Sequence, residues 1–193
     1  MAQEDRERWN ARYRAGGHAS ASPSAALVGM ESWLPHEGRV LDLAGGVGAN
    51  GVWLAGRGLA VTVVDVSEVA LAVAVERALA QGVDLGISAL DLEVDPLPAG
   101  PWALVLCCGY LQRDLVGRVS DVLDVGGRWM WIHPTVENLR RHAKPSARFL
   151  LNPGEAAGLV EAAGLRVLVA EESWSGEGDD ARHLSRVVAE RVG

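Results

Sequence analysis

The run Val40-Leu41-Asp42-Leu43-Ala44-Gly45-Gly46-Val47-Gly48-Ala49-Asn50-Gly51 constrains this chain more than any other feature. A strand pattern holds an acid, runs into glycines and gives way to a helix. Glycines let the backbone turn tightly and leave room for a ligand to come close. The start of the following helix presents unpaired N–H groups to that ligand. Such a loop belongs to an α/β domain that binds its ligand at the strand ends.

The rest of the chain extends this pattern. Residues 39–43 and 60–65 read as the first two strands, with a short helix over 49–57 between them. Ser67 is a candidate N-cap for a helix over 68–81, and Gly82 a stop after it. A weaker strand is expected near 85–90. Residues 102–107 form an almost wholly apolar run, as expected of a strand buried on both faces. A helix around 111–123, a Gly126-Gly127 turn and a strand at 128–133 follow. This alternation predicts a parallel sheet with helices on both faces. Asn152-Pro153-Gly154-Glu155 reads as a helix start, with Asn as N-cap, Pro at N1 and Glu at N3. That helix stops near Gly164. Residues 165–170 and 183–190 read as an antiparallel pair, and the acidic segment 171–180 between them as a mobile loop. Ahead of the first strand lie a charged helix over 2–14, a Gly/Ser/Pro-rich stretch over 16–24 and a helix over 25–33. With 193 residues and no repeat or linker, the chain reads as one domain, residues 1–193, in which 1–37 form a helical lid or cap.

Composition narrows the function classes. The net charge of −7 disfavours a grip on nucleic-acid phosphates. The charged first residues argue against a signal peptide, and no apolar run approaches the roughly 20 residues that span a bilayer. Cys107 and Cys108 are the only cysteines, and being adjacent they form no ordinary disulfide. They also match no structural zinc spacing, so no metal is expected. A reducing compartment fits, and the chain is expected in the cytoplasm.

Two cofactor classes use a loop of this kind. Gly46-x-Gly48-x-x-Gly51 fits the dinucleotide fingerprint, and Asp65 lies about where a ribose-binding acid should. The pattern acid-x-Gly-x-Gly-x-Gly is also met from Asp42 to Gly48, with Ala44 in place of its first glycine. Three features favour the second. Asp42 interrupts a strand that dinucleotide-binding proteins keep apolar. The 38 residues before the first strand suffice for a lid. The sheet ends in an antiparallel pair and not in another βαβ unit.

With these motifs the chain resembles the class I S-adenosylmethionine-dependent methyltransferases. Within that class it is similar to the small bacterial tellurite-resistance-like and thiopurine-methyltransferase-like proteins. The resemblance runs from Trp9-Asn10-x-Arg12-Tyr13 through the glycine loop, Asp65 and Asp91-Leu92 to Gly109-Tyr110-Leu111-x-Arg113. It continues through Arg148-Phe149-Leu150-Leu151-x-Pro153-Gly154-Glu155 to the last strand. It implies a Rossmann-like, doubly wound, seven-stranded and mostly parallel sheet of order 3-2-1-4-5-7-6, strand seven antiparallel. It implies S-adenosyl-L-methionine as cofactor and a methyl acceptor that is a small molecule. The Ala44-Gly45-Gly46 backbone would pass the cofactor's amino acid part, with Asp42 and Gly48 also among the cofactor-binding residues. Asp65 would accept from both ribose hydroxyls, and Val66 would flank the adenine. Asp91 would reach the adenine amino group with Leu92 beside it. Cys107 and Cys108 would face the methionine moiety. Ala44 adds a methyl and restricts φ where the pattern has glycine.

Each candidate also has an ordinary reading. Asp65 can be a solvated strand-end acid, but its spacing of 23 residues from Asp42 (65 − 42) fits the ribose role. Asp42 can merely pair with an arginine, but inside a buried strand it needs partners, which favours a local role. The cysteines read as small core hydrophobes before reactive thiols. Trp9 and Tyr13, four apart on one helix face, are either a packing pair or the inside of a lid. His133 ends strand five beside the crevice, as a structural histidine or a general base. Tyr110, Arg113 and Arg148 would lie on the acceptor side. Arg140, Arg141, Lys144 and Arg148 form either a solvated face or a site for an anionic acceptor. No acid/base pair is evident in the sequence, which leans toward a small thiol, chalcogen or similar acceptor that needs no base. A nicotinamide-dependent oxidoreductase and a non-catalytic cofactor-binding protein are the alternative functions.

Overall fold

The computed structural model describes residues 2–17, 20 and 22–193. Met1, His18, Ala19 and Ala21 lie outside the described residues, so the stretch over 16–24 is described in part. The chain begins with helix α1 (Ala2–Arg14), a short helix α2 (Ala25–Val28) and a 3-10 turn (Glu31–Trp33). The alternating part then runs β1 (Arg39–Leu43), α3 (Ala49–Ala55), β2 (Ala60–Asp65), α4 (Glu68–Ala80), β3 (Gly86–Ala89), β4 (Trp102–Cys108), α5 (Leu115–Val122) and β5 (Leu123–Pro134). It closes with α6 (Glu155–Ala162), β6 (Leu165–Ser175) and β7 (Arg182–Arg191).

The seven strands lie in the order β3-β2-β1-β4-β5-β7-β6. The β1–β2, β1–β4, β2–β3 and β4–β5 pairs are parallel, and β7 is antiparallel to both β5 and β6. This is the order expected. A dinucleotide-binding sheet of order 3-2-1-4-5-6 has no such antiparallel strand.

Strand alternation sorts the core into two layers. Leu41, Leu43, Val105, Cys107, Trp129 and Trp131 pack against α5 and α6 through Leu115, Val119, Ala156 and Val160. Val40, Leu104, Leu106, Met130 and Ile132 pack on the other face with Leu27, Leu54 and Leu71. A fully buried leucine or tryptophan of this kind stabilises the fold by about 1.5–3 kcal/mol. The same parity fixes two polar residues. Asp42 shares the face of Val40, and His133 shares the face of Trp129 and Trp131. Ser67 caps α4 as expected, its side chain accepting from the Ala70 N–H.

Several boundaries differ from the sequence reading. The stretch 25–33 holds α2 and the 3-10 turn, not one helix. Residues 111–114 form a turn before α5, whose first bonds run from Leu115 and Val116 back to Gln112 and Arg113. β5 begins at Leu123, through the two glycines. Trp102 pairs with Leu123 and Leu104 with Arg128, so the four residues 124–127 of β5 stand opposite the single Ala103 of β4 in a wide bulge. A side chain at Gly127 would lie 2.6 Å from the Trp102 carbonyl, so a glycine is required there. α6 starts at Glu155, because Gly154 at φ +71 turns the chain and is its N-cap. Asn152 is therefore not the cap, although its N–H donates to Glu155 Oε2 at 2.8 Å. Residues 171–175, expected in a mobile loop, continue β6. Glu171 pairs with Arg186 and Trp174 with His183, and these cross-strand partners hold an acidic segment extended. Among the described residues no helix is long and apolar enough to cross a membrane.

Candidate functional site

The expected site residues gather at the carboxyl ends of β1, β2, β3 and β4, where parallel α/β sheets bind ligands. Open clefts also occur elsewhere, including one of about 360 Å³ lined by Arg39, Thr62 and Asp84 at the start of β1 and β2. These lie at the wrong end of the strands and carry no convergent chemistry.

Ala44 keeps the left-handed conformation of the glycine it replaces, with φ +51, so the loop follows the glycine path at a local cost. Gly45 is needed for space. A Cβ there would lie 2.7 Å from Asp42 Oδ2 and 2.8 Å from a methyl of Val63. The next amide, Gly46 N–H, donates to Asp65 Oδ2 at 2.9 Å. Ser67 N–H donates to Asp65 Oδ1 at 2.9 Å. The acid at the end of β2 thus ties down both the glycine loop and the turn into α4, while each oxygen keeps acceptor capacity. Burial raises the Asp65 pKa, and the amides of Ser67, Gly46 and Val66 work against that rise.

Asp42 is completely buried, and neither carboxylate oxygen makes a hydrogen bond. Burial, and then the neighbouring charge of Asp65, push its pKa up to about 7. The Gly51 amide opposes that rise without reaching hydrogen-bond geometry. An unpartnered carboxyl under a glycine loop is costly to keep charged. Asp91 sits in the turn after β3, its Oδ1 accepting from Glu93 N–H at 2.9 Å. Leu92 beside it is buried, and its carbonyl accepts from Arg118 at 2.6 Å.

Cys107 and Cys108 end β4. Burial, and then Asp42, push the Cys107 thiol up to about 12 and the Cys108 thiol well above its ordinary value. Both stay protonated, which matches their reading as small core residues. The Tyr110 carbonyl accepts from Trp131 Nε1 at 3.3 Å, and its hydroxyl donates to Gln112 Oε1 at 2.9 Å.

A second group lies beyond the end of β5. His133 is 4% exposed, and its Nε2 lies 2.9 Å from the Phe149 carbonyl. A carbonyl only accepts, so Nε2 carries the proton and Nδ1 keeps a lone pair with no partner. Burial lowers the His133 pKa and Arg113 lowers it further, against the Phe149 carbonyl. Arg113 pairs with Glu155 through two nitrogens and donates to the Leu150 carbonyl at 3.3 Å. It therefore holds the segment that carries Phe149. The basic run is not drawn together. Arg148 is exposed beside the Phe149 ring, Arg141 lies over the Trp174 ring, and Arg140 pairs with Glu137.

Helix α1 covers the first group. Trp9 and Tyr13 pack with ring centroids 5.9 Å apart. Tyr13 also reaches the glycine loop, where a Cβ on Gly46 would fall 2.5 Å from its hydroxyl. Burial, and then Asp65, push the Tyr13 pKa up to about 12. The packing reading of the Trp9–Tyr13 pair is met by this ring contact. The sequence reading passed over Asn10 as a contact. Its Oδ1 accepts from Ser67 Oγ at 2.7 Å, and its place three residues before Tyr13, on the same helix face, was the signal for it. Among the described residues no cluster of three or more His, Cys, Asp or Glu is placed to hold a metal ion.

Residues 40–127 match the family model of a methyltransferase domain. None of the curated proteins matches the chain. Solved structures do. One, described as the conversion of a disulfide bond into a thioacetal group during echinomycin biosynthesis, superposes with a TM-score of 0.77 at 21% identity over 97% of this chain and 92% of that one. A TehB-like S-adenosylmethionine-dependent methyltransferase from Corynebacterium glutamicum superposes with a TM-score of 0.65 at 18% identity over 98% of this chain and 97% of that one. Geranyl diphosphate C-methyltransferase from Streptomyces coelicolor, in complex with Mg2+, geranyl diphosphate and S-adenosyl-L-homocysteine, gives 0.67 at 17% identity over 86% and 78%. At such identities the likeness is one of fold. The domain match over residues 40–127 includes the glycine loop and favours the methyltransferase pattern from Asp42 to Gly48.

Proposed function

We propose that this chain is a class I S-adenosylmethionine-dependent methyltransferase that passes the cofactor's methyl group to a small-molecule acceptor above the ends of β1, β4 and β5, a reading supported by the domain match over residues 40–127 and by the strand order. The observation that carries the reading is the junction of Gly46 and Asp65 over the orphaned Asp42 carboxyl. These residues fit the cofactor. Asp65 is a buried acceptor at the strand end from which ribose hydroxyls are reached, with Val66 beside it. Ala44, Gly45, Gly46 and Gly48 leave backbone open to the amino acid part. Asp42 would stand beneath the loop that passes the amino acid part, and Asp91 and Leu92 would flank the adenine.

When bound, the cofactor supplies a methyl group already activated by its positive sulfur. The protein has then to orient the acceptor and exclude water, and orientation alone contributes about 7 kcal/mol or more. Cys107 and Cys108, held protonated, line the site without competing as nucleophiles. His133 supports a further role. A neutral imidazole with a free Nδ1 lone pair can take the proton of a hydroxyl, amine or thiol acceptor. Tyr110, Arg113 and Arg148 would border that acceptor. A soft, anionic acceptor would not use His133, and the pH dependence of methyl transfer separates the two cases.

Calorimetry with S-adenosylmethionine, S-adenosylhomocysteine and NAD(H) tests the reading. Binding of the two adenosyl ligands without NAD(H) is expected. Binding of NAD(H) alone would overturn it. Formation of S-adenosylhomocysteine across a broad acceptor screen then identifies the substrate, whereas tight binding with no product from any acceptor would point to a non-catalytic binding protein.

A further inference from the structure

The turn after β3 carries three acids in five residues, Asp91, Glu93 and Asp95. Its own hydrogen bonds give it shape. Asp91 N–H donates to Asp95 Oδ2 at 2.9 Å, Glu93 N–H to Asp91 Oδ1 at 2.9 Å, and Asp95 N–H to the Asp91 carbonyl at 2.8 Å. Asp91 Oδ2 accepts from no group among the described residues, and so keeps its acceptor capacity for a ligand.

Other bonds decide how the turn is seated. At its start, Leu90 N–H donates to the Asp65 carbonyl at 3.1 Å. Leu92 buries its side chain in the same core layer as α5. Arg118 of α5 then reaches the backbone. One terminal nitrogen donates to the Leu92 carbonyl at 2.6 Å and the other to the Asp95 carbonyl. A single guanidinium thus grips carbonyls on both sides of Glu93 and Val94, from 26 and 23 positions away in the sequence. It does so from a fixed platform, because Leu115, Val116 and Val119 hold α5 against the sheet. The guanidinium also lies within electrostatic reach of Tyr110. Burial, and then Glu93, raise the Tyr110 pKa, Asp91 adds to the rise, and Arg118 opposes it.

We propose that Arg118 is a positioning residue for the adenine edge of the cofactor: from α5 it holds the 91–95 turn at the angle that aims Asp91 Oδ2 at the adenine amino group. The proposal rests on the cofactor reading above. A planar fork that meets two carbonyls fixes orientation as well as distance, since tilting the turn breaks one of the two bonds. Arg118 does not touch the ligand. It acts through the carbonyl next to Asp91. A turn released from it swings the Asp91 carboxylate off the amino group, while the ribose partner Asp65 stays tied to Gly46 and Ser67. Losing Arg118 therefore costs recognition of the amino group and spares the rest of the cofactor.

The test uses the full chain and needs no acceptor. Calorimetry compares S-adenosylhomocysteine with the same molecule lacking its adenine amino group. The parent should prefer the first by about tenfold or more, the worth of one hydrogen bond to a charged acceptor. Asp91→Ala should lose that preference. Arg118→Met keeps the apolar stem without the fork and should cut the preference to about threefold or less. Arg118→Lys keeps the charge without the planar fork and should fall between them, and it carries the test if Arg118→Met does not fold. The parent's full preference in either folded variant overturns the proposal. An equal loss for both ligands, or a lower melting temperature with affinities unchanged, assigns Arg118 to general structure and also overturns it. Failure of the underlying reading looks different. A parent that binds neither ligand refutes the cofactor. A parent that binds both alike, or an Asp91→Ala chain that keeps the preference, refutes the placing of the adenine at Asp91, and the proposal falls with either.

Discussion

Gly46 N–H and Asp65 Oδ2, 19 residues apart in sequence, meet at 2.9 Å and lock the loop after β1 to the end of β2. The bond joins the two elements that a nucleoside cofactor touches in folds of this class. It also means that changing Asp65 acts on binding and on loop geometry at once.

Asp65→Ala should weaken S-adenosylhomocysteine binding by about 1–3 kcal/mol, roughly 5- to 150-fold, through the lost carboxylate hydrogen bonds. The variant should also melt lower, since Gly46 and Ser67 lose their acceptor. Calorimetry on folded protein at reduced temperature separates the two effects. Parent-like affinity would remove Asp65 from the site.

Asp42 predicts a pH dependence. Its pKa rises from 3.8 to about 7 on folding, so between those values the folded chain holds a proton that the unfolded chain has released. Stability from this group is therefore full below about pH 4 and declines as pH rises toward 7. Asp42→Asn cannot ionise. Relative to the parent it should gain stability steadily from pH 4 to 7, read from paired melting curves. A constant difference across that range would show that Asp42 is already ionised and partnered at low pH.

Ala44 stands at φ +51, where a side chain costs about 1–2 kcal/mol. Ala44→Gly removes that cost but loosens the unfolded chain by about 0.4–1 kcal/mol. A net gain of roughly 0.5–1 kcal/mol is expected, about 2 °C in melting temperature for a chain of this size. Ala44→Val should lose stability, because a branched side chain tolerates this conformation worse. A destabilised Ala44→Gly would mean that the loop does not hold this turn in solution.

His133 should take up a proton less readily than a free histidine, and its neutral form should carry the proton on Nε2. Its pKa lies below 6.5, so the folded state resists protonation and stability falls as pH drops below that value. Nitrogen NMR of histidine-labelled protein reads both tautomer and titration. A midpoint above 6.5, or a proton on Nδ1, would remove the free lone pair that a base requires.

Much of this molecule is legible residue by residue. The strand from Arg39 to Leu43, the glycine turn, the Ser67 cap and α1 from Ala2 to Arg14 are local events. Their causes lie within a few positions: apolar patterning, φ freedom and a side chain within reach of an N–H. The grouping of Asp42, Asp65 and Asp91 also follows, since consecutive parallel strands bring their carboxyl ends together. The extent of β6 was not legible in this way. Glu171 and Glu172 read as loop residues until Arg186 and Ser185 stand opposite them. The wide bulge before Arg128 likewise depends on how near the Trp102 carbonyl comes to Gly127.

By itself the sequence determined the class of fold and which acids stand at the carboxyl ends of its strands, because these depend on spacing along the chain. Only the tertiary structure decided what those acids experience. Whether Asp42 has a partner, which nitrogen of His133 is free, and which loop Tyr13 reaches depend on residues far apart in sequence. Burial and hydrogen bonding are properties of the assembled neighbourhood, and no local pattern encodes them.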